Sequence, residues 1–478
     1  MLNLLVISLV GLVLIFAFIL IIRNKPEIWF WIFLNLYFDP GGYISGFRDG
    51  KLVGPLNVSD VLIVGIILCM VSARINWKVI FADSLLLNFL LFLTIFSAYY
   101  FIVFGGVAPY IHNDFDYPTF LLKNRTFMHG FIILISAYIF TLRGLNYFYS
   151  VTLFFGIVCL TLYMITLFTG IELVYVWKIQ REGTEMTRIS MLSYGLFDMV
   201  FPLSIIVYII SKKVNLNIKY KYLLYYASII FLITQIITLT RRTQIDILGS
   251  LIIISIIIAY LFRVGKLSSL LKLLPPAILV ILVLSFTFPD YIGYMGKTAE
   301  NTFLLITTGV DSEGNSEYRV SGKGDLEITK EFISNNLLLG TGYSFLYWGP
   351  GYAYSNRGTT YSRAADAAGE VPIYYLLFGF GIIGAVLMLP LYIYIGKLFF
   401  KLIKLLRIKL TDYLQDPMTI IFSIYILLTF ATMFTINIYN LGSHFTGSRF
   451  SYFSFFIGLG FALHQKIYLN TLFQNNKI

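Results

Sequence analysis

The chain carries a series of long apolar runs separated by short polar connectors. A helix needs about 20 mostly apolar residues to cross the hydrocarbon core of a bilayer, and most of these runs approach or exceed that length. Inside lipid every backbone N–H and C=O group must be satisfied within the protein, which favours helices for such runs. The candidate spans are residues 2–22, 26–44, 59–73, 84–104, 127–142, 147–169, 191–211, 220–240, 244–262, 269–288, 371–396, 417–437 and 446–464.

Composition also indicates that lipid is the main solvent. Of the 478 residues, 58% are hydrophobic and 12% are charged, and that charged fraction is about half of what a soluble domain carries. We therefore expect an all-α polytopic membrane protein with about 12 or 13 transmembrane helices. The lower number applies if the segment 26–44 does not cross, because its continuous apolar run covers only 28–38. The first run is expected to be a retained helix, since no basic residue precedes it and no small-residue cleavage site follows it.

Basic residues divide unequally between alternate connectors. With one long loop left out, one set of connectors holds 19 Lys and Arg and the other set holds 10. The positive-inside rule assigns the richer set, which includes the C-terminus, to the cytoplasm. The chain then divides into an N-terminal helix bundle (1–288), a large extracytoplasmic loop (289–370) and C-terminal transmembrane helices (371–478). Within the loop, the stretch 324–335 predicts a short amphipathic helix.

Several classes of function are disfavoured by the sequence. The formal net charge of +11 comes mainly from the connectors, so it indicates membrane orientation and no nucleic-acid partner. The two cysteines lie inside apolar runs, which excludes a disulfide framework. A phosphate-binding loop, a dinucleotide fingerprint and the zinc-hydrolase and serine-hydrolase motifs are all absent from the sequence. We therefore expect no cofactor.

One short segment resembles a metal motif. The stretch IHNDFDYP contains His112, Asp114 and Asp116, and two carboxylates beside a histidine can bind a divalent cation. Pairs of this kind are frequent by chance, so we predict no metal site from this segment alone.

Arginines cluster on the outer side, where the positive-inside rule predicts few. They are Arg188 in MTRISMLSYGLF, Arg241 and Arg242 in TLTRRTQIDILG, Arg319 in EYRVSGKGDLEI and Arg449 in HFTGSRFSYF. Contact with lipid headgroups is an adequate explanation for any single one. As a group they favour an anionic ligand, because the planar guanidinium donates two parallel hydrogen bonds to phosphate and keeps its charge.

Two acidic residues close the outer loop just before a predicted span. Asp366 and Glu370 are either solvated loop acids or candidates for a general base. A carboxylate that is partly removed from water has its pKa raised toward neutrality, where it accepts a proton efficiently.

The order of these segments resembles the O-antigen polymerase and O-antigen ligase superfamily (Wzy-type and WaaL-type membrane glycosyltransferases). The four segments that carry the resemblance are the one with Arg188 ahead of a helix, TLTRRTQIDILGSLII, YRVSGKGDLEITKEFISNNLLLGTGYSF and EVPIYYLLFGFGIIG. The second is similar to the family's T-x-S-R-G turn, with Arg241 at the closest position. The third matches an arginine, a short helix and N-P-L-L-G-x-G, with Leu337 where proline is usual. The fourth keeps Gly381 and Gly384 of H-N-x-Y-L-x-x-L-x-x-x-G-x-x-G.

The resemblance implies a GT-C-like fold and an activity. The substrate would be an oligosaccharide repeat unit on undecaprenyl pyrophosphate, transferred at the outer face of a bacterial cytoplasmic (inner) membrane without a metal. Arg188, Arg241, Arg242, Arg319 and Arg449 would bind the pyrophosphate. Glu370 would act as the base or position the acceptor, with Asp366 as the other candidate acid at that end of the loop.

The resemblance also implies partners and leaves alternatives open. Tyr343, Tyr347 and Trp348 would stack on sugar rings or anchor the loop at the interface. A chain-length regulator is a further candidate partner, besides membrane lipids. A ligase uses the same chemistry with another acceptor, but Glu370 and Val371 stand where ligases carry histidine and asparagine, which favours a polymerase. A flippase is disfavoured because the spans carry almost no charge away from their ends.

Overall fold

The computed structural model describes residues 18–19, 21–38, 51–53, 56–74, 77–103, 117–169, 171, 173, 176–180, 187–191, 196–214, 218–237, 241–262, 323–340, 372–409, 416–435, 443–445 and 447–475. These residues form a bundle of helices with two small hairpins. The helices are α1 (Pro26–Tyr37), α2 (Val58–Ser72), α3 (Trp77–Phe81), α4 (Ser84–Ile102), α5 (Tyr117–Arg143), α6 (Leu145–Thr169), α7 (Val200–Val214), α8 (Lys221–Ile237), α9 (Arg241–Phe262), α10 (Lys323–Asn335), α11 (Pro372–Lys409), α12 (Pro417–Phe434) and α13 (Gly447–Asn475).

Apolar helices dominate the described part of the chain. Four helical stretches are long and apolar enough to cross a membrane, judged by length and composition: Ser84–Ile102, Leu145–Thr166, Ile373–Ile408 and Pro417–Phe434. Shorter apolar helices occupy Val58–Ser72, Phe127–Arg143, Val200–Lys212, Lys221–Thr234 and Gly249–Phe262. The expected membrane character is therefore supported. α10 also lies within one residue of the amphipathic helix predicted over 324–335.

Two antiparallel hairpins interrupt the helices. Strands β1 (Lys51–Val53) and β2 (Leu56–Asn57) form the first. Strands β3 (Val176–Gln180) and β4 (Thr187–Met191) form the second, in which Ile179 pairs with Arg188. The second hairpin corrects the predicted span over 191–211, because β4 occupies its first residue and α7 begins only at Val200. β-Branched and aromatic side chains such as those of β3 suit a pleated strand.

Two other helices depart in length from the predicted spans. α1 is 12 residues long, which is short of the roughly 20 that a span needs. Its Trp31 side chain is fully buried, and Asn35 Nδ2 donates to Thr152 Oγ1 of α6 at 3.2 Å. α11 instead continues beyond residue 396 to Lys409, because leucines spaced by four residues keep one face apolar. Those leucines, Leu398, Leu402 and Leu406, are all fully buried.

The most extensive helix pair in the described part of the chain is α5 with α13. The two helices run parallel, since Gly130 meets Phe450 and, one turn further along α5, Leu134 meets Gly458. A methyl group at Gly458 would collide with the Leu134 carbonyl oxygen, and one at Gly130 would collide with the Phe450 ring. Small residues of this kind let two helix backbones approach closely inside a membrane bundle.

Charged groups at one end of the bundle cap and join helices. Asp416 precedes α12, accepts from Thr419 Oγ1 at 2.8 Å and binds Lys466 Nζ of α13 at 2.6 Å. Burial raises the pKa of Asp416, but the bond and charge of Lys466, with the bonds from Thr419, outweigh it and leave that pKa below its ordinary value. Asp83 caps α4, and there burial prevails and raises the pKa of its carboxyl.

The close approach of α5 and α13 gives a testable stability effect. Gly458→Ala places a methyl group against the Leu134 backbone carbonyl, which cannot move without shifting α5. We expect the substitution to destabilise the protein by about 1–3 kcal/mol, as overpacking does. The measurement is thermal unfolding of the purified protein in detergent. Gly144→Ala is the control, because its methyl group meets only the Tyr147 ring, at 3.8 Å. Equal midpoints for the two variants would contradict the proposed contact.

Candidate functional site

A backbone contact joins the chain after α10 to the interior of α11. The helix α11 is broken at Gly381, whose φ is 62° and ψ is −173°. The two amides that follow the break bind outside their own helix, with Ile382 N–H donating to Leu337 O at 2.9 Å and Ile383 N–H to Leu338 O at 3.1 Å. The unpaired groups of the broken helix are thus satisfied by another segment, as buried backbone requires.

Glycine is required on both sides of this contact. Gly340 has a φ of 73°, a left-handed conformation that costs side-chain-bearing residues free energy. A Cβ atom at Gly340 would lie 2.5 Å from Gly381 N, and one at Gly381 would collide with Leu338 O. The Tyr99 hydroxyl of α4 completes the contact, 2.9 Å from Phe380 O and 3.3 Å from Leu339 O. We call Leu338, Gly340, Gly381 and Tyr99 the glycine junction.

The glycine junction unites two of the segments that carry the family resemblance. NLLLG supplies Leu338 and Gly340, and the segment that opens α11 supplies Gly381. Gly384 belongs to the same contact, since a Cβ atom there would lie 2.9 Å from the Tyr99 ring. α10 packs on α11 beside the junction, where the Phe332 and Phe378 ring centroids are 6.1 Å apart. Sequence order alone did not predict that these glycines touch.

A second group of polar residues lies buried or partly buried among four helices. Asp60 at the start of α2 binds Arg125 Nη1 of α5 at 2.8 Å and lies 3.4 Å from His129 Nε2. His129 Nδ1 is 3.1 Å from the Tyr37 hydroxyl, which in turn is 3.2 Å from Ser451 Oγ of α13. We call these five residues the polar chain. Asp60 also accepts from the Asn57 N–H at 2.7 Å.

The chemistry of the polar chain is that of proton holding and transfer. A carboxylate beside an imidazole, a phenol and a hydroxyl forms a continuous path for a proton, and the Arg125 guanidinium offsets the Asp60 charge. His129, Tyr37 and Ser451 are 6%, 3% and 1% exposed, so these three residues are shielded from solvent, whereas the Asp60 and Arg125 side chains are partly exposed. Such networks also lock helices together, which is the plainer role for this one.

A row of aromatic rings connects the glycine junction with the polar chain. Phe380 and Tyr100, the neighbours of Gly381 and Tyr99, have ring centroids 6.1 Å apart. Tyr100 stacks on Phe127 at 6.1 Å, and Phe127 stacks on Phe450 at 4.8 Å. Phe127 lies between Arg125 and His129 in sequence, and Phe450 adjoins Ser451. The junction and the chain therefore occupy the same end of the bundle.

The structure places the backbones of four predicted arginines. Arg188 lies within β4, and Arg449 is the third residue of α13, directly before Phe450 of the aromatic row. Arg241 and Arg242 are the first two residues of α9. The last turn of α9 contacts the last turn of α11 through Tyr260 and Arg407. Since a helix rises about 1.5 Å per residue, the start of α9 lies roughly 30 Å along that helix from the contact.

The other predicted site residues lie outside the described residues. They are Arg319, Tyr343, Tyr347, Trp348, Asp366 and Glu370, together with His112, Asp114 and Asp116. Arg319 precedes α10 by four residues, and Glu370 precedes α11 by two. In the described part of the chain, no group of three or more His, Cys, Asp or Glu residues is arranged to hold a metal ion.

Sequence reasoning missed the polar chain. Its members are far apart in sequence, and His129 sits just inside a predicted span. The available signal was the pair Arg125 and His129, four residues apart on one helix face, because ionisable groups at the edge of a span usually have a partner. Asp60, at the start of another span, is that partner.

Comparison with known proteins does not assign the chain to a family. The sequence matches no family model. A search of curated proteins likewise finds no match. The case for a function therefore depends on the site geometry and on the sequence resemblance.

Gly381→Ala tests the glycine junction. The substitution imposes a positive φ on alanine and a collision with the Leu338 carbonyl, each of which costs about 1–3 kcal/mol. We expect a clear fall in the thermal midpoint of the purified protein in detergent. Gly396→Ala in the same helix is the control, because no atom lies within 4 Å of its added methyl group. A tolerated Gly381→Ala would show that the contact does not hold α11.

Asp60→Asn and Arg125→Gln, made singly and together, test the polar chain. Removing one partner of a partly buried charged pair leaves the other uncompensated, so the two effects should not add. We expect a coupling free energy of about 1–3 kcal/mol in chemical unfolding experiments. Lys219→Ala combined with Arg125→Gln is the control pair and should be additive. Additivity for Asp60 and Arg125 would contradict the 2.8 Å ion pair.

Proposed function

We propose that the protein is a glycosyltransferase that polymerises undecaprenyl-pyrophosphate-linked oligosaccharide repeat units at the outer face of the cytoplasmic membrane. The observation that carries the proposal is the glycine junction, in which two family-like segments meet through glycines that no other residue can replace. Each motif alone is short and weakly specific, but two motifs that contact each other in the structure support the resemblance more strongly. The aromatic row adds support, because it joins that contact to the start of α13, where Arg449 stands.

The proposed reaction is a displacement at the anomeric carbon of the donor sugar. A hydroxyl oxygen of the acceptor repeat unit forms the new C–O bond, and its proton passes to the Glu370 carboxylate. The bond between the anomeric carbon and the pyrophosphate oxygen breaks, and undecaprenyl pyrophosphate leaves with its electrons. Arg188, Arg241, Arg242 and Arg319 stabilise the charge that develops on the leaving group, as preorganised cations do.

The remaining predicted residues take supporting roles in this proposal. Arg449 extends the pyrophosphate site, Asp366 is the alternative acid beside Glu370, and Tyr343 stacks on a sugar ring. The cytoplasmic (inner) membrane, the multi-pass topology and the outer position of the loop 289–370 belong to the same proposal. They are supported by the uneven distribution of Lys and Arg between connectors. A chain-length regulator is a candidate partner, and no metal or cofactor takes part.

Arg319→Ala tests the proposal in cells. A gene deletion should leave surface glycan with a single repeat unit, and the unaltered gene should restore long polymer. The Arg319→Ala gene should restore less than about one hundredth of the polymer, the scale of effect seen when a charge-stabilising group is removed. Surface polysaccharide is compared by gel electrophoresis, with the protein quantified by an epitope tag.

The control for that experiment is Arg357→Ala, an arginine of the same loop that lies outside the family-like segments. It should restore polymer of normal length. Normal chain lengths with Arg319→Ala would refute the proposed pyrophosphate role. Long polymer that accumulates on undecaprenyl pyrophosphate in the deletion strain, with none on the final acceptor, would identify a ligase and overturn the role given to Glu370.

A further inference from the structure

A groove of about 780 Å³ lies between the last turns of α9 and α11. It is roughly 30–40 Å along α11 from Gly381, given the rise of a helix per residue. It is therefore at the end of the bundle opposite the glycine junction. The described residues that line it are Tyr260, Phe400, Ile403, Lys404, Arg407 and Ile408. The groove thus combines two cations with apolar walls.

The two cations of the groove are available to a ligand. α11 contains no Asp or Glu from Pro372 to Lys409. No ion pair between described residues involves Lys404 or Arg407. The Arg407 guanidinium instead lies 4.4 Å from the centroid of the Tyr260 ring. Stacking of this kind engages the face of the guanidinium and leaves its N–H edge for an anion.

Exposed apolar side chains in the walls of the groove favour a ligand that also has an apolar part. Phe400 is 70% exposed and Ile408 is 63% exposed, which is costly in water and favourable against hydrocarbon. Tyr260 lies in the last turn of an apolar helix, and tyrosine there is typical of the membrane–water interface. A free phosphate ion would satisfy Lys404 and Arg407 and leave this apolar surface uncovered.

We propose that the groove binds an anionic phospholipid, with its phosphate on Lys404 and Arg407 and an acyl chain along Phe400 and Ile408. Basic pockets between membrane helices on the cytoplasmic side recognise acidic headgroups in this way. The uneven division of Lys and Arg between connectors assigns the last turn of α11 to that side. The proposal does not depend on glycosyl transfer, because its residues are separate from the glycine junction.

The test uses the full-length protein in neutral phosphatidylcholine nanodiscs, with phosphatidylglycerol added in increasing amounts. Bound lipid is counted by native mass spectrometry, and thermal midpoints are measured in parallel. Lys404→Ala with Arg407→Ala should weaken phosphatidylglycerol binding by about 30-fold, the loss expected for two cations at an anionic surface. Inorganic phosphate without lipid should not raise the midpoint.

The control variant is Lys219→Ala with Lys397→Ala. It also removes two exposed cations that lie over tyrosine rings, at 4.9 Å for Lys219 and 4.8 Å for Lys397, and neither lines the groove. Its phosphatidylglycerol binding should stay within about threefold of the unaltered protein, a difference below 1 kcal/mol. A loss as large as that of the groove variant would show that net charge alone attracts the lipid, which overturns the site.

Two further outcomes also overturn the proposal. Unchanged phosphatidylglycerol binding by the groove variant would show that the lipid binds elsewhere. Equal stabilisation by inorganic phosphate would show a simple anion site with no acyl-chain contact. If the groove variant fails to fold, the salt dependence of phosphatidylglycerol binding to the unaltered protein tests the proposal instead. Binding must weaken by more than about tenfold as salt rises from about 0.05 M to about 0.5 M, since salt screens exposed charges.

Discussion

Helices α5 and α13 lie so close together that backbone atoms, as well as side chains, form the contact between them. Gly458 meets the Leu134 carbonyl, and Gly130 meets the Phe450 ring. Because neither position has room for a methyl group, the two helices have one register along their length. That register sets Ser451 of α13 level with Tyr37 and His129. It also stacks Phe450 on Phe127. Apolar side chains alone would hold such helices less uniquely, since lipid tails are as apolar as leucine.

Two sets of linked polar groups join helices in the described part of the bundle, one near each end. Asp60, Arg125 and His129 form one set with Tyr37 and Ser451. A charge placed alone at such depth costs several kcal/mol, so each ionised group needs its partner. At the opposite end Asp416 binds Lys466, whereas Lys404 and Arg407 have no ion pair with a described residue. Each end therefore contains an internal link, and the proposed lipid groove adds exposed cations at the second end.

The sequence predicted helices well where an apolar run or an amphipathic pattern extends over the whole helix. The span predicted over 417–437 begins where α12 begins, and the amphipathic stretch predicted over 324–335 begins one residue after the start of α10. It predicted less where tertiary pairing overrides local signals. The strand that carries Arg188 extends into the first residue of the span predicted over 191–211, because β3 is available to pair with it. The contact between Gly340 and Gly381 was not predictable, since a glycine's neighbours depend on a fold that brings distant segments together. The polar chain was missed for the same reason.

The backbone bonds at the break in α11 have a consequence for how the protein opens. An amide inside a helix normally exchanges its hydrogen with solvent when its own helix frays, and its protection measures that local event. The amides of Ile382 and Ile383 are held by the carbonyls of Leu337 and Leu338. Their exchange therefore reports the detachment of the segment after α10. The exchange rates of these two amide hydrogens thus measure how often the segment with Leu337 and Leu338 detaches from α11.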